Sequence, residues 1–274
     1  MNDLEIYFQE NTKRELDKWS QYFDIYDRHF QRFRDKEIVL LEVGVSHGGS
    51  LQMWKNYFGE KAKIYGIEVN PNAKEVEEDQ IEIFIGSQTD REFLRSIKQK
   101  LPQIDILIDD GGHTMVQQKV FYEELFETVT SEGVYLIEDL HTSYWKNYGG
   151  GYRNKRSFIE YSKNFIDQLN AFHSRQGSFR ADNFTKTVDS LHFYDSILVI
   201  EKKRRTEPER KITGSQQVIN NTEKTSAILL GIEEKKYISA SFLERLYYRW
   251  RIFLLINEGF VYKALLYKLK ELLR

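Results

Sequence analysis

The stretch from Leu40 to Leu51, which reads LLEVGVSHGGSL, is the part of the chain that decides the fold. Its apolar start is typical of a buried parallel strand. The glycines that follow, Gly44, Gly48 and Gly49, allow a sharp turn whose backbone N–H groups face a ligand at the start of the next helix. The stretch therefore predicts an α/β domain with a binding site at the end of its first strand.

A lone carboxylate, Glu68, directly follows the next apolar segment, Ala62 to Ile67. At the carboxyl edge of a second strand it would accept hydrogen bonds from both hydroxyls of a ribose. The glycine spacing departs from Gly-x-Gly-x-x-Gly, which disfavours a dinucleotide and favours S-adenosylmethionine. A glycine-rich turn without a ligand is the alternative. The residues that we predict to bind the cofactor here are Glu42, Gly44, Ser46, Gly48, Ser50 and Glu68.

Composition limits the class of protein. The 274 residues, 41% of them hydrophobic, suffice for one α/β domain with an appendage. A net charge of -2 provides no overall electrostatic attraction to nucleic acid. Because the sequence has no cysteine, disulfides, thiolate metal sites and a cysteine nucleophile are excluded. The sequence shows neither a signal peptide nor an apolar run that could span a bilayer, so we expect a cytoplasmic enzyme.

Short apolar runs alternate with helical patterns, which predicts a parallel sheet with right-handed crossovers. Two later runs, Val188 to Tyr194 and Ile197 to Lys203, are separated only by Asp195 and Ser196, which predicts an antiparallel hairpin. A dinucleotide dehydrogenase would keep its last strands parallel. We therefore predict a Rossmann-like class I methyltransferase fold, with a seven-stranded, mostly parallel sheet and an antiparallel last strand. The five earlier runs are Ile38 to Val43, Lys63 to Ile67, Ile81 to Ile85, Ile104 to Ile108 and Gly133 to Ile137.

The same pattern divides the chain into four segments. Aromatic residues recur at helical spacing from Glu15 to Arg34, which predicts one or two amphipathic helices over the sheet. The predicted segments are an N-terminal helical segment (1–37), an S-adenosylmethionine-binding methyltransferase domain (38–203), a linker (204–240) and a basic amphipathic helical extension (241–274).

An insertion of about fifty residues, 140–187, is longer than most loops in compact domains. We predict that it recognises the acceptor substrate through Tyr144, Trp145 and Tyr152, and that it contains a helix from Ser157 to Ser174. A surface loop with a helix that only packs is an equal alternative.

The extension from Ser241 to Arg274 carries seven basic and three acidic residues and places apolar and aromatic residues on one helical face. We favour packing of this predicted helical hairpin on the domain, or on a second subunit of a homo-oligomer. Peripheral contact with an anionic membrane is the alternative.

Acidic residues follow two strands that would be neighbours. The fourth strand runs into Asp109, Asp110 and, after two glycines, His113, and the fifth runs into Glu138 and Asp139. The carboxyl ends of parallel strands meet at one edge, where ligands bind. Hard oxygen ligands without thiolate suit Mg²⁺ or Mn²⁺, and His113 is close enough to act on a group that the metal holds. The alternative is that each of these residues, taken alone, belongs to an ordinary turn or caps a helix.

Two further groups are predicted to contact the cofactor. Asp109 would sit near its methionine amino group. Ser87, Gln88 and Asp90, which follow the third strand, are placed to reach the adenine, although Asp90 alone is as readily explained as a helix cap.

Taken together, the motifs resemble those of the metal-dependent sugar O-methyltransferases of macrolide and related natural-product pathways, of the mycinamicin and tetracenomycin-rhamnose type. The resemblance extends from about Lys18 to Lys203. The residues that carry it are Leu41 to Val45, Gly48 to Leu51, Trp54, Tyr65 to Glu68, Gly86 to Gln88, Ile108 to His113, Glu138, Asp139 and Thr142 to Trp145.

This resemblance implies S-adenosyl-L-methionine as methyl donor, Mg²⁺ on Asp110, Glu138 and Asp139, and His113 as general base. The implied acceptor contains a sugar, within a natural product, a polysaccharide or a lipid-linked sugar. Two other functions stay open: a hydroxylase-like relative with iron at the acidic cluster, and a non-catalytic module that docks to a membrane-bound glycan assembly.

Overall fold

A computed structural model describes residues 1–215, 217, 226 and 229–256. The chain divides into two units, Met1–Glu209 and Arg210–Arg274, and each is described by itself.

The first unit is built on a seven-stranded sheet of order β3-β2-β1-β4-β5-β7-β6. Neighbours from β3 to β5 pair in parallel, whereas β7 is antiparallel to both β5 and β6. The predicted mostly parallel sheet with an antiparallel last strand is confirmed. The strands are β1 Val39–Val43, β2 Lys63–Glu68, β3 Ile81–Ile85, β4 Ile104–Asp109, β5 Val129–Ile137, β6 Val188–Phe193 and β7 Leu198–Lys202.

Helices cover both faces of this sheet, and their starts follow local capping chemistry. Asp90 caps one helix by accepting from the N–H groups of Glu92 and Phe93, and Thr114 forms a capping box with Gln117 at the start of another. The helices of this unit are α1 Asp3–Glu10, α2 Tyr22–Phe30, α3 Gly49–Phe58, α4 Arg91–Lys100, α5 Met115–Leu125, α6 Phe158–Ser162, α7 Asn164–Leu169 and α8 Asn183–Thr187.

Two apolar layers hold the helices on the sheet. Successive residues of β1, Leu40 and Leu41, enter different layers because side chains alternate across a strand. One layer takes the aromatic face of α2, including Tyr26 and Phe30, and Trp54 of α3 packs edge-on against both rings. This aromatic cluster fixes α2 beside the carboxyl end of the sheet.

Two predicted helices differ from the structure. Residues 15–19 are not helical, so α2 begins only at Tyr22. The single helix predicted from Ser157 to Ser174 is wrong, since this segment forms α6, α7 and a 3₁₀ turn at Ala171–His173. Asn164 donates its side-chain amide to the Tyr161 carbonyl, and this local bond competes with the helical ladder at the break.

The second unit contains α9 (Glu234–Ile238), inside the predicted linker, and α10 (Phe242–Ile256), which is the first arm of the predicted hairpin. The predicted second arm, after residue 256, lies outside the described residues. Among the residues that are described, none of the helices is both long and apolar enough to cross a membrane.

Gly44 ends β1 with a φ of 97°, in the left-handed region that favours glycine. A Cβ atom there would overlap the carbonyl oxygen of Asp110. We expect Gly44→Ala to lower the free energy of unfolding by about 3 kcal/mol, because it adds both backbone strain and a clash. Denaturant titration measures this loss.

The matched control is Gly177→Ala, because a Cβ at Gly177 would have nothing within 4 Å. It should change the free energy of unfolding by no more than about 0.5 kcal/mol. Equal stability of the two variants would contradict the close approach of Gly44 to Asp110.

Candidate active site

A cavity of about 460 Å³ opens at the carboxyl ends of β1, β2, β4 and β5. This is the edge at which open α/β sheets bind ligands. Nine predicted site residues lie on its wall: Gly44, Ser46, Glu68, Ser87, Gln88, Asp110, His113, Glu138 and Asp139. The structure thus brings the predicted nucleoside-binding and acidic residues into one cavity.

Glu68 holds the glycine turn in place. One oxygen of its carboxylate accepts hydrogen bonds from the N–H groups of Val45 and Ser46, both at 3.1 Å. The other accepts from Val69 at 2.8 Å and Asn70 at 3.1 Å. A single carboxylate at the end of β2 therefore organises the turn after β1 and also faces the cavity.

Three of the residues predicted to bind the cofactor around the first two strands do not line the cavity: Glu42, Gly48 and Ser50. Glu42 is fully buried, accepts hydrogen bonds from the Ser50 hydroxyl at 2.5 Å and from the Trp54 indole, and has a pKa raised to about 7 by burial. Gly48 lies against Val76. These residues support the glycine turn from inside the domain.

Asp109 is also buried away from the cavity wall. Burial raises its pKa to about 7, and its carboxylate accepts a hydrogen bond from the Gln88 side chain at 2.7 Å. The amide oxygen of Gln88 in turn accepts from the N–H of Gly112 at 3.0 Å. Gln88 therefore ties the end of β3 to the loop that carries His113. Asp90 is the helix cap that was the alternative to its cofactor role.

Asp110, His113, Glu138 and Asp139 form one corner of the cavity, which we call the acidic corner. The Nε2 atom of His113 lies 3.3 Å from Asp139 Oδ2 and 4.0 Å from Asp110 Oδ1. His113 and Asp139 both have positive φ, 55° and 54°. Such strained conformations cluster at functional sites, where the surrounding structure enforces them.

Glu138 is held from the N-terminal side of the chain. Its carboxylate accepts from the Tyr26 hydroxyl at 2.7 Å and from Lys18 Nζ at 2.9 Å, and Lys18 also pairs with Asp110. Burial by itself would lower the pKa of Lys18, but the carboxylates of Asp110 and Glu138 outweigh it and hold that pKa well above its ordinary value. Burial raises the pKa of Glu138, against the opposing effect of Lys18.

Sequence reasoning missed this N-terminal contribution. Lys18, Tyr22 and Tyr26 all reach the acidic corner, and the Tyr22 hydroxyl donates to Asp139 at 2.7 Å. The three residues recur every four positions, and the tyrosines present polar tips on an otherwise apolar helix face. That spacing was a usable signal, but it is equally typical of core packing.

The residues predicted to bind the acceptor lie outside this cavity. Tyr144, Trp145 and Tyr152 are exposed; Tyr144 lines a second cavity of about 380 Å³, and the ring of Trp145 contacts that of His141. Trp19 does line the first cavity. Its ring also contacts that of His141, with 5.7 Å between the two ring centroids.

Curated proteins resemble part of this chain. The 8-demethyl-8-alpha-L-rhamnosyl tetracenomycin-C 2'-O-methyltransferase of Streptomyces olivaceus is 33% identical over 199 residues, which cover 68% of this chain and 52% of that protein. The mycinamicin VI 2''-O-methyltransferase of Micromonospora griseorubida is 32% identical over 193 residues, which cover 66% of this chain and 48% of that protein.

A solved structure also matches. It is the MycE methyltransferase from the mycinamycin biosynthetic pathway in complex with Mg, SAH and mycinamycin VI, with a TM-score of 0.67 and 29% identity, covering 74% of this chain and 54% of that one. No protein-family model matches the chain. The chain spans about half the length of the curated relatives it matches.

The strand order, the antiparallel β7 and the glycine turn opposite Glu68 define a Rossmann-like class I methyltransferase fold. Within this class, the matched two thirds of the chain belong to the family of sugar O-methyltransferases of macrolide and tetracenomycin pathways.

The donor set at the acidic corner fits a hard divalent cation. A carboxylate oxygen of Asp110, one of Asp139 and a ring nitrogen of His113 lie within 4.8 Å of one another, so a cation on the two carboxylates would lie beside the histidine nitrogen. Two carboxylates on a cavity wall suit Mg²⁺ or Mn²⁺. The His113 Nδ1 atom is buried and has no hydrogen-bond partner among the described residues. Glu138 could join the metal ligands only if Lys18 released it.

Lys18 should therefore compete with a metal ion. In Lys18→Met, a positive charge that binds Asp110 and Glu138 is removed, so we expect Mg²⁺ to bind about ten-fold more tightly. Isothermal titration of Mg²⁺ into chelator-treated protein measures the affinity.

Lys163→Met is the control, because Lys163 pairs with Glu160 on the exposed surface of α6. Its Mg²⁺ affinity should equal that of the parent. Weaker Mg²⁺ binding in Lys18→Met would instead mean that the lysine orients the carboxylates for the metal.

Proposed function

We propose that this protein is an S-adenosylmethionine-dependent O-methyltransferase that methylates a sugar hydroxyl with the help of Mg²⁺ or Mn²⁺. The observation that carries the proposal is that Glu68 and the Asp110, His113 and Asp139 corner share one cavity. The nucleoside of the cofactor and the acceptor hydroxyl would thus lie in the same cavity. The relatives, which are named for methylating sugars on natural products, support the substrate class.

The cofactor would occupy the part of the cavity between β1 and β3. Glu68, whose two oxygens accept four backbone N–H groups, would exchange some of these bonds for bonds from the ribose hydroxyls, as carboxylates at this strand end accept them. Ser46 and Gly44 would line the amino-acid portion, and Ser87 would face the adenine. Glu42, Ser50 and Asp109 would act on the cofactor only by positioning these wall residues.

His113 is the proposed base. Its Nε2 atom would take the proton of the sugar hydroxyl, and the Asp139 carboxylate 3.3 Å away would stabilise the resulting imidazolium. The base is held from two sides, because Thr142 donates its hydroxyl to the His113 carbonyl at 2.9 Å and Gln88 accepts from Gly112. When bound, the metal supplies positive charge for the deprotonated oxygen, and S-adenosylmethionine supplies a methyl group on a sulfur that leaves as a neutral thioether.

The acceptor sugar would enter between α2 and the glycine turn. Trp19, which is 54% exposed, lines the cavity beside the acidic corner and offers a ring face to a sugar, whereas Tyr22 is buried and contributes its hydroxyl to Asp139. Tyr144, Trp145 and Tyr152 would contact parts of the acceptor that extend beyond the cavity. The walls of the cavity would align the oxygen, methyl carbon and sulfur.

Replacing the base tests the chemistry. His113→Asn should reduce kcat about a hundred-fold or more while the affinity for S-adenosylmethionine is kept. Asparagine is the suitable variant because it tolerates the positive φ of 55° at this position. Turnover is measured with a sugar-acceptor panel, and cofactor affinity by titration; turnover near the parent's would remove His113 as the base.

Replacing a metal ligand tests the cation site. Asp139→Asn removes one negative charge but also tolerates a positive φ, so we expect folding to be kept and Mg²⁺ affinity to fall at least about ten-fold. Asp167→Asn, on the exposed face of α7, is the control. If both variants respond to Mg²⁺ like the parent, Asp139 is not a ligand.

The whole proposal is tested by titrating S-adenosylmethionine and S-adenosylhomocysteine into chelator-treated protein and then adding Mg²⁺ with the acceptor panel. We expect cofactor binding without metal, and acceptor binding only with metal. Cofactor binding without any turnover would favour the non-catalytic module, whereas activity that needs Fe(II), 2-oxoglutarate and oxygen would favour the hydroxylase.

A further inference from the structure

Helix α10 exposes a broad apolar and aromatic face. Between positions 242 and 250, five apolar or aromatic residues are between 47% and 77% exposed. On a helix with 3.6 residues per turn, their positions fall within about 140° of one another, so they form one continuous surface. We call this surface the α10 face; its residues are Phe242, Leu243, Leu246, Tyr247 and Trp250.

Among the described residues, the α10 face is not the side of the helix that contacts α9. Tyr248, which points to the opposite side of the helix, is only 7% exposed, and its ring stacks on Tyr237 of α9 at 5.7 Å between centroids. Arg245 also reaches α9, where it donates to the carbonyls of Ile238 and Ala240. These contacts hold α10 against α9 and leave the α10 face on the side of the helix away from α9.

Arginines border this face on both edges. By helical periodicity Arg249 lies next to Phe242, and Arg251 lies next to Tyr247, whose ring its guanidinium approaches at 5.9 Å. The acidic residue of the helix, Glu244, is engaged in capping through Ser241. Capping leaves the charge of Glu244 in place, so the helix carries three arginines against one carboxylate and has a surplus of two positive charges.

We propose that the α10 face binds an anionic membrane surface, with the helix lying in the plane of the interface. Apolar and aromatic residues would enter the boundary between headgroups and acyl chains, while Arg249 and Arg251 would contact lipid phosphates. The sequence beyond α10 continues this character, with Lys263, Lys268, Lys270 and Arg274 against Glu258 and Glu271.

A second copy of the chain fits this surface less well. Because both edges of the α10 face carry an arginine, two such faces packed together would bring like charges into opposition. Anionic phospholipid headgroups complement both edges at once. The proposal does not depend on methyl transfer, since membrane binding is measured without turnover.

The test is co-sedimentation of the full chain with vesicles of phosphatidylcholine alone, or with about one third phosphatidylglycerol. We expect binding to the anionic vesicles only, weakened by added salt. Trp250→Glu and Leu246→Glu should each weaken it about ten-fold or more. Ile212→Glu, at an exposed residue outside the helices of the same unit, is the matched control and should bind like the parent. Circular dichroism confirms that each variant is folded.

A second readout is tryptophan fluorescence. Vesicles should shift the emission of the parent to the blue, and Trp250→Phe should keep vesicle binding and lose most of that shift. Equal binding to neutral and anionic vesicles, or no binding to either, would overturn the proposal. So would a dimer in solution that Trp250→Glu dissociates without any effect on lipid, because the α10 face would then bind a second copy.

Discussion

The candidate site depends on the backbone ladder of the sheet, which continues one residue past the strand ends. Asp110 donates its N–H to the Val43 carbonyl at 3.0 Å, and Glu138 donates to Asp109 at 2.9 Å. Gly44 is bonded to Ile67 in the same way. Since these backbone groups are fixed by neighbouring strands, the acidic side chains stand at set positions on one rim before any ligand binds.

Packing carboxylates together creates a repulsion that the N-terminal segment relieves. Lys18 supplies a positive charge, and Tyr22 and Tyr26 supply hydroxyl donors, to Asp110, Asp139 and Glu138. These donors can reach the rim because the aromatic cluster around Trp54 holds α2 against the sheet. Core packing and site electrostatics are thus joined in α2 and in Lys18, which precedes it in the chain.

Much of the fold could be predicted from the sequence because each buried strand is a short apolar run that ends at a glycine or a polar residue. β3 was predicted with its observed bounds, and β1 within one residue. β5 begins earlier than predicted, at Val129, where polar residues interrupt the apolar run. The prediction of a single helix from Ser157 to Ser174 was wrong because side-chain amides of asparagine compete locally with the helical hydrogen bonds. Hydrophobic periodicity does not detect this effect.

The sequence by itself predicted a set of residues at the rim, because residues at the carboxyl ends of parallel strands lie along one edge of the sheet, although it did not separate them from the buried Asp109. It therefore identified Glu68, Asp110 and Asp139 without any coordinates. Only the tertiary structure decided which side chains meet them. Lys18 lies 92 residues from Asp110, and Tyr22 lies 117 residues from Asp139. Such contacts arise from how α2 packs on the sheet, and local sequence patterns carry no information on pairs so far apart.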